Sequence, residues 1–235
     1  MYDFEDAAGN ASLVPSSFPA TKAKVRYDPH LADIVSDIQS LAEVVATYTR
    51  DMTFRLVARD NNVMAGGIDW EQLKFKTSEG AGPFFVNDPE GGDLRVGEYR
   101  EITWDVANTD QAPVSCKRVN IIMSTDGGDT FDVVLAEDAP NTGSAFITLP
   151  EEALTVDGRI MVEAADNIFL NVNANEFNVF APEVPSFTLE SSTRFEEVCL
   201  PEVLTIGLNT GSILDFVAPI SFSVDTENLP MGVTA

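Results

Sequence analysis

Two short stretches hold the side chains that could do chemistry. In VARDNNVMAGGIDW, residues 57–70, a strand-like run stops at Asp60, and Asp60, Asn61, Asn62 and Asp69 bring carboxylate and amide oxygens close together in the chain. Calcium and other hard cations take oxygen ligands of this kind. The same residues suit a plain turn, because Asp and Asn tolerate left-handed backbone and bond to their own main chain. Their spacing matches no regular calcium loop. The expectation is therefore a hairpin turn with Gly66 and Gly67 at backbone angles that a Cβ would make costly. A structural calcium is the alternative, with Asp69 as the extra carboxylate, and no other cofactor is expected. In STDGGDTF, residues 124–131, Ser124 and Asp126 are placed to bond backbone amides, Gly127 and Gly128 to supply positive φ, and Phe131 to anchor the following strand. That pattern builds a hairpin rather than a catalyst, and calcium held by Asp126 and Asp129 is the weaker reading.

Other chemistry finds little support. The chain has a single histidine, His30, after Pro29 at the start of a helix-like segment. With no second histidine or cysteine pair to complete a zinc site, a capping or surface role suffices for it. There is no Gly-x-Ser-x-Gly elbow, no phosphate-cradling glycine loop and no Cys/His pair set for nucleophilic attack. Carboxylate pairs for glycoside chemistry can always be found among 38 acidic residues, but their separation cannot be read from sequence. An enzyme is not expected. The 38 acidic against 14 basic residues give a net charge of −24, which repels phosphate backbones and anionic lipid surfaces, so nucleic acid is not an expected partner. No run approaches eighteen apolar residues, so membrane insertion is not expected either. The opening MYDFEDAAGN lacks the basic and apolar regions of a signal peptide and any helix or strand start, which suggests a piece of a longer chain.

Positioning these residues falls to strands. Alternating segments read as β over 52–60, 69–77, 98–107, 118–125, 130–137, 144–150, 158–166, 175–181, 202–210 and 219–227, each bounded by Gly, Asn, Asp or Pro. One segment differs. In DPHLADIVSDIQSLAEVVATYTR, residues 28–50, apolar residues recur at helical spacing; Asp28 could cap the start and Pro29 suits the first turn, so one helix or two short ones is expected near 29–47. The strand ends FRLVARDN and IMVEAADN both stop in Asp-Asn, at 60–61 and 166–167, and each precedes a second strand and a Pro-rich junction, 78–89 or 180–187. A terminal hairpin repeated once per domain makes the fold class all-β. The division is a β-sandwich over 1–80, incomplete at its N-terminus and carrying the helical insertion, and a second over 81–181. A third, truncated sandwich begins in 184–235, because a sandwich needs about seven strands. Leu204, Ile206, Leu208, Ile213, Phe216, Ile220 and Phe222 would then be partly uncovered. Cys116 and Cys199 fall in different domains and form no disulfide framework; their partners stay open. Trp70 and Trp104 sit in alternating strands and are expected in the core.

Several motifs carry a resemblance. STDGGDTF resembles the Asp-box hairpin of sialidases and many other secreted β proteins. The runs RDMTFRLVARDNNVMAGGIDWEQLKF, AGPFFV, GEYREITWDVANTDQAPVSCKRVNIIMSTDGGDTF, NTGSAFITLP and RIMVEAADNIFLNVNANEFNV resemble, in order over residues 14–181, the non-catalytic region that follows the zinc-peptidase domain in secreted reprolysin-like (metzincin) metallopeptidases of gliding-type bacteria. The stretch 98–180 is also similar to immunoglobulin-like modules of wall-associated proteins, with Trp104 as a core tryptophan. The resemblance implies tandem immunoglobulin-like or fibronectin-like sandwiches in an extracellular protein, secreted or attached to the cell surface. It implies a non-catalytic accessory or scaffold role in domain spacing, substrate positioning or surface attachment. The partners would be neighbouring domains of the same chain and a protein or glycan substrate. The HExxHxxGxxH signature is absent, so no zinc ligand of that family transfers to any position here. The alternative is a stand-alone adhesive or carbohydrate-binding module, which would expose aromatic side chains on one face or in a loop cluster.

Overall fold

The structure is a computed structural model that describes residues 25, 27–38, 45–60, 66–191, 203 and 205–224. It is all-β, and α1 (Leu31–Val35) is the single α-helix among the described residues. The N-cap falls on His30, whose Nδ1 accepts from the Ala32 amide at 3.4 Å, two residues after the Asp28 expected to cap it. Residues 45–50 are not helical, and 39–44 lie outside the described residues.

Next come β1 (Asp51–Arg59) and β2 (Ile68–Lys76), an antiparallel ribbon in register from Asp51↔Lys76 to Arg59↔Ile68. None of its residues is buried. Phe54 and Phe75 stack at 5.4 Å, and the Arg55 guanidinium lies 4.3 Å from the centre of the Trp70 ring. Trp70 is therefore not a core residue; it is 53% exposed. The alternation of β2 puts Trp70 and Gln72 on one face, but among the described residues no second layer covers that face. An arginine takes the ring instead. Of the unit expected over 1–80, the described residues comprise α1 and this ribbon; 1–24 lie outside them.

The next hundred residues form two sheets around one core. They contain β3 (Phe85–Val86), β4 (Gly92–Arg95), β5 (Tyr99–Asp105), β6 (Arg118–Ser124), β7 (Val133–Pro140), β8 (Ser144–Thr148), β9 (Thr155–Ala164), β10 (Leu170–Val172) and β11 (Phe177–Phe180). One sheet has the order β4-β11-β9-β6-β7, with β10 also on β9, and the other has β3-β5-β8. Period-two burial explains the pairing of layers. In β6, Val119, Ile121 and Met123 are fully buried while Arg118, Asn120 and Ile122 are partly exposed. Ile102 and Trp104 of β5, and Ala145 and Ile147 of β8, face them across the core, joined by Ile160, Val162, Phe177 and Val179. Two half-apolar sheets bury these faces only against each other, which is the physical basis of a sandwich. The strand read at 130–137 starts later, at Val133, because residues 124–130 close a loop of their own.

The sandwich also contacts chain on both sides. Val35 of α1 packs on Gly128, where an added Cβ would lie 2.7 Å from its methyl carbon. Beyond the sandwich, β12 (Ser186–Ser191) and β13 (Leu208–Ile213) pair antiparallel, Phe187 meets Phe216 at 5.4 Å, and the Ile213 side chain fills the space over Gly97. The strand expected at 202–210 thus lies at Leu208–Ile213, with its neighbour β12 unforeseen. The described part of 219–227, residues 219–224, is not strand. Ile206, Leu208 and Phe222 are about half-exposed. Leu204 and Cys199 lie outside the described residues.

Candidate functional site

In the Ser124 loop, the hydroxyl of fully buried Ser124 donates to Asp126 Oδ1 at 2.6 Å, and its oxygen accepts from the amides of Asp126 at 3.2 Å and Gly128 at 2.8 Å. Asp126 Oδ1 accepts from the Thr130 amide, and Oδ2 from the Thr130 hydroxyl, both at 2.9 Å. These bonds favour the charged carboxylate, the Ser124 hydroxyl first and the Thr130 amide next, and hold Asp126 below its ordinary value. Gly127 and Gly128 lie at φ +76° and +104°, and the Gly127 amide donates to Asp157 O at 2.9 Å, which ties the loop to β9. Phe131 is only partly buried and is not among the residues packed against the core; Val133, the first residue of β7, takes the anchoring position expected of it. The Asp126 carboxylate is turned inward on its own loop.

At the tip of the β1–β2 ribbon, the Asp60 amide donates to Gly67 O at 3.3 Å and closes the turn. Gly67 does not lie in the left-handed region; a Cβ there would instead sit 3.2 Å from Asp60 Oδ2, so the constraint is the approach of the carboxylate. Because Ala58 pairs with Asp69, the two carboxylates of Asp60 and Asp69 fall on one face of the ribbon. Asp69 Oδ1 accepts from the Trp70 amide at 2.9 Å. Asn61 and Asn62 lie outside the described residues, and among those described no group of three or more His, Cys, Asp or Glu is placed to hold a metal. The second Asp-Asn pair turns β9 into β10: Ala164 N donates to Phe169 O at 2.9 Å, and Asn167 Oδ1 accepts from the Ile168 amide at 2.8 Å.

A cleft of about 610 Å³ opens where β5 leaves its sheet, lined by Pro83, Phe85, Asp105, Val106, Asn108 and Asp110 among others. Ala107 and Asn108 take left-handed backbone, at φ 48° and 60°, and Asp105 Oδ1 steadies that turn by accepting from the Ala107 amide at 2.9 Å. Buried Asn141 holds the cleft floor. Its Oδ1 accepts from Trp104 Nε1 at 2.9 Å, and its Nδ2 donates to Thr109 Oγ1 at 2.9 Å and Cys116 O at 3.1 Å. In the sequence, Asn141-Thr-Gly reads only as a turn; nothing local announces that the amide reaches the indole of Trp104.

The cleft continues onto the outer face of the β3-β5-β8 sheet. Ile102 and Trp104 point inward, so Tyr99, Glu101, Thr103 and Asp105 point outward, and strand pairing sets Thr148, Phe146, Ser144 and Phe85 beside them. Tyr99 is 65%, Phe85 50% and Phe146 49% exposed. The Tyr99 and Phe146 rings stack at 5.1 Å with 12° between their planes. Neither Glu101 nor Asp105 takes part in an ion pair among the described residues. No family model matches the chain, and no curated protein does.

Proposed function

We propose that this chain is a non-catalytic accessory region of a secreted or surface-attached metallopeptidase-like protein, a scaffold that spaces neighbouring domains and positions substrate. The observation that supports the reading best is the way the sandwich grips chain on both sides, through Val35 on Gly128 before it and Ile213 on Gly97 after it. Contacts of this kind seat the flanking segments against the sandwich, as a region that spaces neighbouring domains would need. In this reading the Ser124 loop and the Asn141 hub stiffen the sandwich, and immunoglobulin-like or fibronectin-like modules repeat along the parent protein. Reading the open reading frame around this sequence tests the proposal. An upstream HExxHxxGxxH supports it, while a complete frame without that motif refutes it in favour of a stand-alone adhesive module. Zinc measured on the purified, dialysed chain is a second check: one tightly held ion per chain would contradict the non-catalytic reading.

A further inference from the structure

We infer that the outer face of the β3-β5-β8 sheet, with the cleft at its end, docks an extended basic polypeptide. Three aromatic side chains are exposed along this face, Tyr99 and Phe146 stacked at one end and Phe85 at the other beside the cleft. Exposed aromatic residues clustered on one face mark an interaction surface. Charge decides what occupies it. Glu101 lies beside Phe146 and Asp105 beside Phe85, and Asp110 lines the cleft beyond. The outward residues Tyr99, Glu101, Thr103, Asp105, Ser144, Phe146 and Thr148 include no Lys or Arg, and the cations at the margin are already engaged, Arg100 with Asp88 and Glu98 and Lys117 Nζ donating to the Asp110 carbonyl oxygen at 2.6 Å. A neutral glycan would stack on the rings and donate hydroxyl hydrogen bonds to the carboxylates, but draws nothing from their charge. A lysine or arginine uses both, with the cation over a ring face and an ion pair to the neighbouring carboxylate. The protein already makes half of that pairing within itself, where the Arg55 guanidinium lies 4.3 Å from the Trp70 ring centre. From Tyr99 to Asp105 the strand rises about 20 Å at roughly 3.3 Å per residue, room for about six residues of extended peptide. The cleft of about 610 Å³, walled by Phe85, Asp105 and Asp110, receives one basic side chain at the end of that path.

The inference rests on the substrate-positioning reading, and names the substrate as basic peptide. Its test is binding of a fluorescein-labelled decapeptide of alternating lysine and serine to the full chain at 100 mM salt, followed by anisotropy. A glutamate–serine decapeptide and a soluble neutral β-glucan serve as comparison probes. Tyr99→Ser with Phe146→Ser, and separately Asp105→Asn with Asp110→Asn, are each expected to weaken the lysine peptide at least tenfold. The pair Asp132→Asn with Glu137→Gln, which removes as much charge away from this face, is expected to change affinity less than twofold. Circular dichroism confirms that each variant is folded. If the distant pair weakens binding as much as the cleft pair, the attraction is diffuse and the inference fails. It fails equally if the aromatic pair leaves affinity unchanged, or if the glucan binds through these rings and the peptide does not. A frame lacking the peptidase motif would remove the metallopeptidase reading without touching these affinities, so the two failures are distinguishable.

Discussion

Asn141→Ala is the most informative single change, because one amide holds the core tryptophan and the cleft loop together. The substitution takes the acceptor from Trp104 Nε1 and the donor from Cys116 O, and leaves Thr109 Oγ1 with its own bond to Val106 O at 2.7 Å. Each buried polar group left without a partner costs about 1–3 kcal/mol, so two orphans cost about 2–6 kcal/mol. Asn141 borders the open cleft, which lets water reach part of the vacated space, and the expected loss is about 2–4 kcal/mol. Urea unfolding in a Trp70→Phe background reads it cleanly, since Trp104 is then the remaining tryptophan and reports on the hub. Trp104→Phe and the double variant, followed by circular dichroism, complete a cycle. The cost of losing both partners should be smaller than the sum of the single costs, because removing both ends of a bond leaves fewer orphans. A loss below about 0.5 kcal/mol for Asn141→Ala would refute the hub as a stabilising element.

Four further outcomes follow from the same geometry. Gly158→Ala would set a Cβ 2.8 Å from the Phe177 ring and 2.9 Å from its carbonyl oxygen in the β9–β11 pair; overpacking of this kind costs about 1–3 kcal/mol, measurable in the same urea titration. Asp126 has a depressed folded value, so its stabilisation is present above the ordinary carboxylate range and is lost as pH falls through the folded value. The stability gap between wild type and Asp126→Asn should hold steady from about pH 7 to 5 and close below about pH 4. Burial, and then the hydrogen bond and charge of Asp166, push the Cys116 thiol up to about 11. In a Cys199→Ser background it should react with a disulfide reagent at pH 8 far more slowly in folded than in urea-unfolded protein, and equal rates would contradict its burial. Finally, millimolar calcium should leave the thermal midpoint unchanged in both wild type and Asp60→Ala; a rise of several degrees that vanishes in the variant would establish a calcium site at the β1–β2 turn.

Local pattern in the sequence determined which residues share a face and where the chain turns. Val119, Ile121 and Met123 are readable as one buried row because strand side chains alternate whatever lies around them. The Ser124–Gly128 loop is readable because its donors, acceptors and positive-φ positions all lie within eight residues. Tertiary structure decided whether a given face is covered. Trp104 and Trp70 have the same kind of alternating context, yet one meets the opposite sheet and Asn141 while the other stands in solvent under an arginine. It also supplied the elements too short to show a period, the two residues of β3 and the four of β4, the latter added parallel to β11 from far away in the chain. The aromatic face and its cleft belong wholly to this second category. Phe85, Tyr99 and Phe146 carry no shared local signal; Tyr99 and Phe146 meet only through the pairing of β5 with β8, and Phe85 joins the same face at its far end through β3, since backbone hydrogen bonds set register between strands that sequence order does not bring together.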